Sequence, residues 1–207
     1  MINSSRNIND YSENRKYGDL VIAKAIKILY NVLELEKRTI RDGVRWYIEV
    51  ADVQLDTEFA TDLIVVNSEG GTAEHIGLRT RSAERYLNRY PYDFTIRFSC
   101  SSGGNTEYQK VLEHGYCDYL FYCFSDDTGA FSRWAIIDYS IFREEHFFQP
   151  ADPKLFGKDQ WLPEPYLKTN RYLNSDNKTG LAAYDVRSFK KQIIKWHSAC
   201  YYDYPNK

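Results

Sequence analysis

The 207-residue sequence predicts an α/β domain, a mixed central sheet with flanking helices, on three observations. Residues 17–38 repeat apolar side chains at helical spacing, and a succession of short β-branched and aromatic segments follows them. Apolar residues make up 43% of the chain and charged ones 27%, a balance that supports a buried core and lies far from the disordered class. A chain of this length favours one domain over two.

In the helix, Val21, Ala25, Ile28 and Val32 form a stripe that Ile22, Ile26, Leu29 and Leu33 widen, so the segment is expected to pack on a sheet. Arg41-Asp42-Gly43 breaks it. Strands are expected at 46–50 and 61–66, then at 75–80 across a turn at 67–71 whose Asn and Gly residues tolerate positive φ. That hairpin sets Asp62 and Arg79 on neighbouring strands. A strand at 94–98 is expected to join the same sheet, ahead of a loop at 101–105. The short helix predicted at 106–114 has Asn105 or Thr106 as its cap and Gly115 at its end. Residues 119–124 and 134–138 read as two more strands about a turn at 126–129.

Residues 1–12 are polar, rich in Asn and Ser, and expected to be a flexible N-terminal segment. Residues 13–149 hold the α/β core. Residues 150–207 are a C-terminal extension, interrupted by Pro150, Pro153, Pro163 and Pro165. Val186, Phe189, Ile193 and Trp196 recur at helical spacing near its end, which predicts a helix over 186–199 docked on the core.

No run of 18 apolar residues and no basic-then-apolar leader occurs, so a soluble, cytoplasmic protein with no membrane partner is expected. Cys100, Cys117, Cys123 and Cys200 lack CxxC spacing, and Cys117 and Cys123 lie in an aromatic run where a buried thiol is the ordinary reading. His75, His114, His146 and His197 are scattered, without the spacing of a zinc hydrolase. Walker A, dinucleotide-binding and G-x-S-x-G patterns are absent.

The order of elements, a helix, a strand, Thr61-Asp62 opening a second strand, and Gly77-Leu78-Arg79 on the strand after the hairpin, resembles the restriction-endonuclease-like superfamily of PD-(D/E)xK nucleases. The likeness covers residues 13–138. It implies a restriction-endonuclease-like core and a Mg²⁺-dependent endonuclease site, with Asp62 as metal ligand. Gly77 stands where the family has an acid, and Arg79 where it has lysine. An arginine stays protonated and cannot act as a general base, though it can hold a phosphate through two parallel hydrogen bonds. The family's habit of moving a lost acid onto a nearby element points to Glu107 and Lys110, which share a face of the predicted 106–114 helix, and to Glu74. It also points to Glu13, from a region that often supplies a further acidic ligand. Glu49 and Asp52 could join Asp62 in an acidic patch.

The expected catalytic set is therefore Asp62, Arg79, Glu107 and Lys110, and the expected metal ligands are Asp62, Glu74, Glu107 and Glu13. Five arginines, Arg79, Arg81, Arg85, Arg89 and Arg97, stand against only Glu84 and Asp93 in residues 76–97, and they alternate with Tyr86, Tyr90 and Tyr92. Guanidinium groups interleaved with hydroxyls and rings make a nucleic-acid-binding stripe for DNA or RNA. Two other readings stand beside the nuclease. One is a non-catalytic protein that keeps the fold and binds nucleic acid or protein. The other is an assembly component, such as a phage or mobile element encodes, that uses its aromatic surface, the chain having eighteen tyrosines.

Overall fold

The computed structural model describes residues 8–90, 93–100, 106–146, 169–173, 179–185 and 193–196. The first helical signal folds as two helices, α1 (Ile8–Val32) and α2 (Leu35–Asp42), rather than one. The break falls at Glu34, which takes a left-handed backbone (φ 53°). Among the described side chains of α1, Val21, Ala25 and Leu29 are the buried ones, and Leu33 just past its end continues this four-residue row, while Ile28 and Val32 are only partly covered. Gly43, at φ 72°, ends α2 as its sequence requires.

β1 (Trp46–Val50) is followed by α3 (Val53–Phe59), a short helix not foreseen, capped by Asp52, whose carboxylate accepts from Leu55 N at 2.8 Å. β2 (Leu63–Asn67) and β3 (Thr72–Ser82) form the expected hairpin, and Asn67 Oδ1 accepts from the Glu69 and Gly71 amides inside its turn. α4 (Ala83–Tyr86) and β4 (Asp93–Cys100) come next, then a π-helical turn (Gln109–Glu113), β5 (Tyr119–Ser125), β6 (Phe131–Asp138) and α5 (Tyr139–His146). β7 (Thr169–Leu173), β8 (Thr179–Asp185) and β9 (Ile193–Trp196) complete the described elements.

The central sheet is mixed and six-stranded, in the order β1-β2-β3-β5-β6-β9, with β3 and β5 parallel and the other neighbours antiparallel. The strand expected at 94–98 forms, but outside this sheet: β4 pairs with β8, and β8 with β7, in a second, three-stranded sheet. Its partner lies about eighty to ninety residues downstream, a pairing that no local pattern encodes. The helix expected over 186–199 is corrected as well. Residues 193–196 are strand β9 on the edge of β6, and the rest of that range lies outside the described residues. Ile193-Ile194 is as good a strand as a helix segment, and an open apolar edge decides it.

Alternation along β5 divides the core. Phe121 and Cys123 face α1 together with Leu63, Val65, Ile76, Trp134 and Ile136. Leu120, Tyr122 and Phe124 face the second sheet and cluster with its Phe94, Ile96 and Tyr184 and with Phe142 of α5; the Phe94 ring meets Tyr122 edge-on at 5.4 Å and Phe142 edge-on at 5.5 Å. Seven buried aromatic residues fill this second layer among the described residues. Among the described residues the exposed large hydrophobics are Leu20, Ile40, Val50 and Tyr90.

Candidate active site

Asp62 stands one residue before β2, where its backbone is locked on both sides. Its N–H donates to Ile76 O at 3.0 Å and its carbonyl accepts from Ala51 N at 2.9 Å. One carboxylate oxygen, Oδ2, accepts from Leu78 N at 2.5 Å. Burial, then repulsion from Asp56 and Glu107, outweighs that bond and pushes the carboxyl up to about 7. Burial is the larger cause of that shift and the two neighbouring acids the smaller.

Glu107 arrives from the other side of the pocket. Thr106 and Gln109 cap each other: Thr106 N–H donates to Gln109 Oε1 at 2.9 Å, and Gln109 N–H to Thr106 Oγ1 at 3.3 Å. This reciprocal box orients the first turn, with Glu107 inside it. Glu107 Oε2 accepts from Arg79 Nη1 at 2.5 Å and from Arg97 N at 3.4 Å. Burial is the largest single effect and works against the Arg79 charge, but Glu107 together with Tyr122 and Tyr139 outweighs it, so the guanidinium is held more firmly protonated than usual.

These groups meet in one pocket of about 210 Å³, lined by Asp56, Asp62, Arg79, Arg97, Glu107 and Lys110. Ala60, Gly77, Leu78 and Leu120 form the rest of its wall. All four residues of the expected catalytic set are present, and Arg97 with them. Asp56, on the α3 turn, was missed because that helix was missed; its signal was Asp52 three residues ahead of Leu55 in an otherwise acidic stretch.

The other expected ligands are elsewhere. Glu74 is an odd number of residues from Gly77 on β3, so its side chain lies on the opposite face of the sheet. There it accepts from Arg38 Nη1 at 2.5 Å and ties α2 to the sheet, while its Oε2 is buried with no partner among the described residues. Glu13 is on α1, and its side chain is not among those described. Glu49 is exposed and Asp52 caps α3, so neither joins the pocket. Among the described residues no three His, Cys, Asp or Glu side chains gather closely enough to hold an ion by themselves. Cys117 lies beside Gly77 but is 2% exposed, and burial pushes its thiol far up, so it is no nucleophile.

The arginine stripe divides by role. Arg81 stacks on Tyr86 at 4.3 Å and donates to Tyr122 Oη at 3.4 Å. Arg85 and Arg89 are exposed, over Tyr86 and Tyr90 at 5.5 and 5.2 Å. The chain matches no protein-family model, no curated protein and no solved structure. Among the described residues no helix is long and apolar enough to cross a membrane.

Proposed function

We propose that the protein is a metal-dependent nuclease, or a close nuclease-like relative, with a restriction-endonuclease-like core and the phosphodiester backbone of nucleic acid as substrate. The observation that carries this reading is the convergence of Asp62 and Glu107, from distant elements, on one pocket that also holds Arg79, Arg97 and Lys110. The element order supports it: α1, β1, Asp62 at the head of β2, and Arg79 on the hairpin partner β3 follow the sequence of parts on which the resemblance rests.

Mg²⁺ suits the donors available. Asp62 Oδ1 and Glu107 Oε1 are hard carboxylate oxygens that take no hydrogen bond among the described residues, and a divalent ion would relieve the repulsion felt at Asp62. When bound, the ion would offset charge on the scissile phosphate and acidify a water molecule. The remaining work falls to the chain. Arg97 and Lys110 offer cations to the phosphate oxygens. Arg79, paired and protonated, holds Glu107 in place rather than moving a proton. Cytoplasmic placement accords with this use of nucleic acid.

The test is cleavage of single-stranded, duplex and branched DNA and RNA with Mg²⁺ or Mn²⁺, by wild type and Asp62→Asn. Metal-dependent cleavage that falls by orders of magnitude in the variant is the expected result. One observation favours the second reading, a nucleic-acid or protein binder without catalysis: the Arg79 guanidinium is already engaged by Glu107, and position 77 carries no acid. Metal-independent binding with no cleavage of any substrate would establish it over the first.

A further inference from the structure

The absent acid at position 77 has a physical cause in the fold. A Cβ built on Gly77 would meet the Ala60 carbonyl oxygen at 3.0 Å, Leu120 Cδ1 at 3.2 Å and Cys117 Sγ at 3.5 Å. A side chain at 77 would therefore start in tight contact with a backbone oxygen of another element, which would have to give way by a few tenths of an ångström. Ala60 reaches that place by a costly conformation: it caps α3 in the left-handed region (φ 54°), donating its own N–H to Leu55 O. A residue with a Cβ is strained there, and the surrounding structure must over-determine it. The Ala60 carbonyl accepts no hydrogen bond among the described residues, and Ala60 lines the pocket that holds Asp62 and Glu107.

We infer that the peptide carbonyl of Ala60 is a cation ligand, a neutral oxygen that completes, with Asp62 and Glu107, a three-oxygen set in place of the side chain that Gly77 lacks. The inference rests on the metal-dependent reading above and deepens it. Backbone carbonyls are ordinary ligands of hard divalent ions. Replacing a carboxylate by a carbonyl also spares Asp62 a further like charge beside Asp56 and Glu107, which already repel it. Glycine at 77 is then required by the approach of the carbonyl and is not a relic of a lost acid.

The carbonyl can be watched directly, because Ala60-Thr61 is the only Ala-Thr step in the sequence. Labelling the full chain with carbonyl-¹³C alanine and ¹⁵N threonine leaves one correlated amide resonance, that of Ala60 and Thr61. Titration with Mg²⁺ at pH 8 should move the Ala60 carbonyl resonance along a saturating curve whose midpoint matches calorimetry. Gly77→Ala should weaken Mg²⁺ binding roughly tenfold or more by crowding the carbonyl. If calorimetry shows Mg²⁺ uptake that Asp62→Asn abolishes while the Ala60 resonance stays still, the ligand assignment is overturned and the metal site stands. If wild type takes up neither Mg²⁺ nor Mn²⁺, both fall together. Should Gly77→Ala not fold, the resonance of wild type decides alone.

Discussion

Arg79 Nη1 donates to Glu107 Oε2 at 2.5 Å, joining β3 to the helical turn after β4 across 28 residues of chain, with both side chains less than a quarter exposed. The contact makes Glu107 a shared resource. One oxygen fixes the guanidinium, and the other is left for whatever enters the pocket.

Glu107→Ala therefore has a structural cost apart from any loss of activity. It strands a guanidinium that burial disfavours and that has no second acid within bonding distance among the described residues. Removal of one partner from a partly buried pair costs about 2 to 3 kcal/mol, and Arg79→Met combined with Glu107→Ala should recover a good part of it. Urea unfolding of both single variants and the double variant gives the coupling. Additive losses would show that the pair does not hold the turn.

Asp62→Asn should stabilise the protein, and the effect should depend on pH. The carboxyl titrates near 4 in the unfolded chain and near 7 in the folded one, so between those values the folded state binds the extra proton. Wild-type stability from this group is fully present below about pH 4 and lost as pH rises through 7. The asparagine variant does not titrate and still accepts the Leu78 amide. Its advantage should be small at pH 4.5 and reach roughly 1 to 3 kcal/mol at pH 8. Thermal unfolding of the two proteins at both pH values checks it, and an equal difference at the two would place the titration elsewhere.

Glu34→Gly should raise stability by about 0.5 to 1 kcal/mol. Glu34 joins α1 to α2 at φ 53°, where glycine pays no Cβ penalty, although glycine loses more freedom on folding. The ion pair forfeited with Lys37 is 59–74% exposed and contributes little. Denaturant midpoints measure the change.

The pocket was legible in the sequence where local chemistry dictates geometry. Asn67 and Gly71 set the β2–β3 turn, which fixes the register that brings Asp62 opposite β3. The Thr106/Gln109 box then sets the turn that carries Glu107 and Lys110. What was not legible depends on distant partners. Nothing near Phe94 says that its strand pairs with β8 instead of the central sheet, and nothing near Ile193 says that β6 has an open edge. The break at Glu34 lies inside an unbroken apolar period, so only packing of α2 against β1 reveals it. Ala60 could not be read at all, because its part is played by a backbone atom and side-chain patterns are silent about where a carbonyl points.

Four of the five arginines, Arg81, Arg85, Arg89 and Arg97, should separate in their response to salt. Arg85 and Arg89 are exposed beside rings that leave their guanidinium groups open to solvent, and Arg97 borders the pocket. Each of these three, replaced by alanine, should weaken binding of nucleic acid and lower the slope of log affinity against log salt by roughly one, since each phosphate contact releases about one counterion. Arg81 is different. It is sandwiched against Tyr86 and within 5.9 Å of the Phe124 ring, and it donates to Tyr122, which is fully buried. Its replacement by alanine should lower stability by about 1 to 2 kcal/mol through lost stacking and packing, while leaving the salt slope of the folded protein nearly unchanged. Lysine at 81 should not rescue it, because a compact ammonium lacks the planar face that lies on Tyr86. Fluorescence anisotropy with labelled single-stranded and duplex DNA and RNA across a salt series, read beside thermal unfolding of the same variants, measures both quantities. A slope that drops for Arg81→Ala as much as for Arg89→Ala would mean that the stacked guanidinium swings out to meet phosphate.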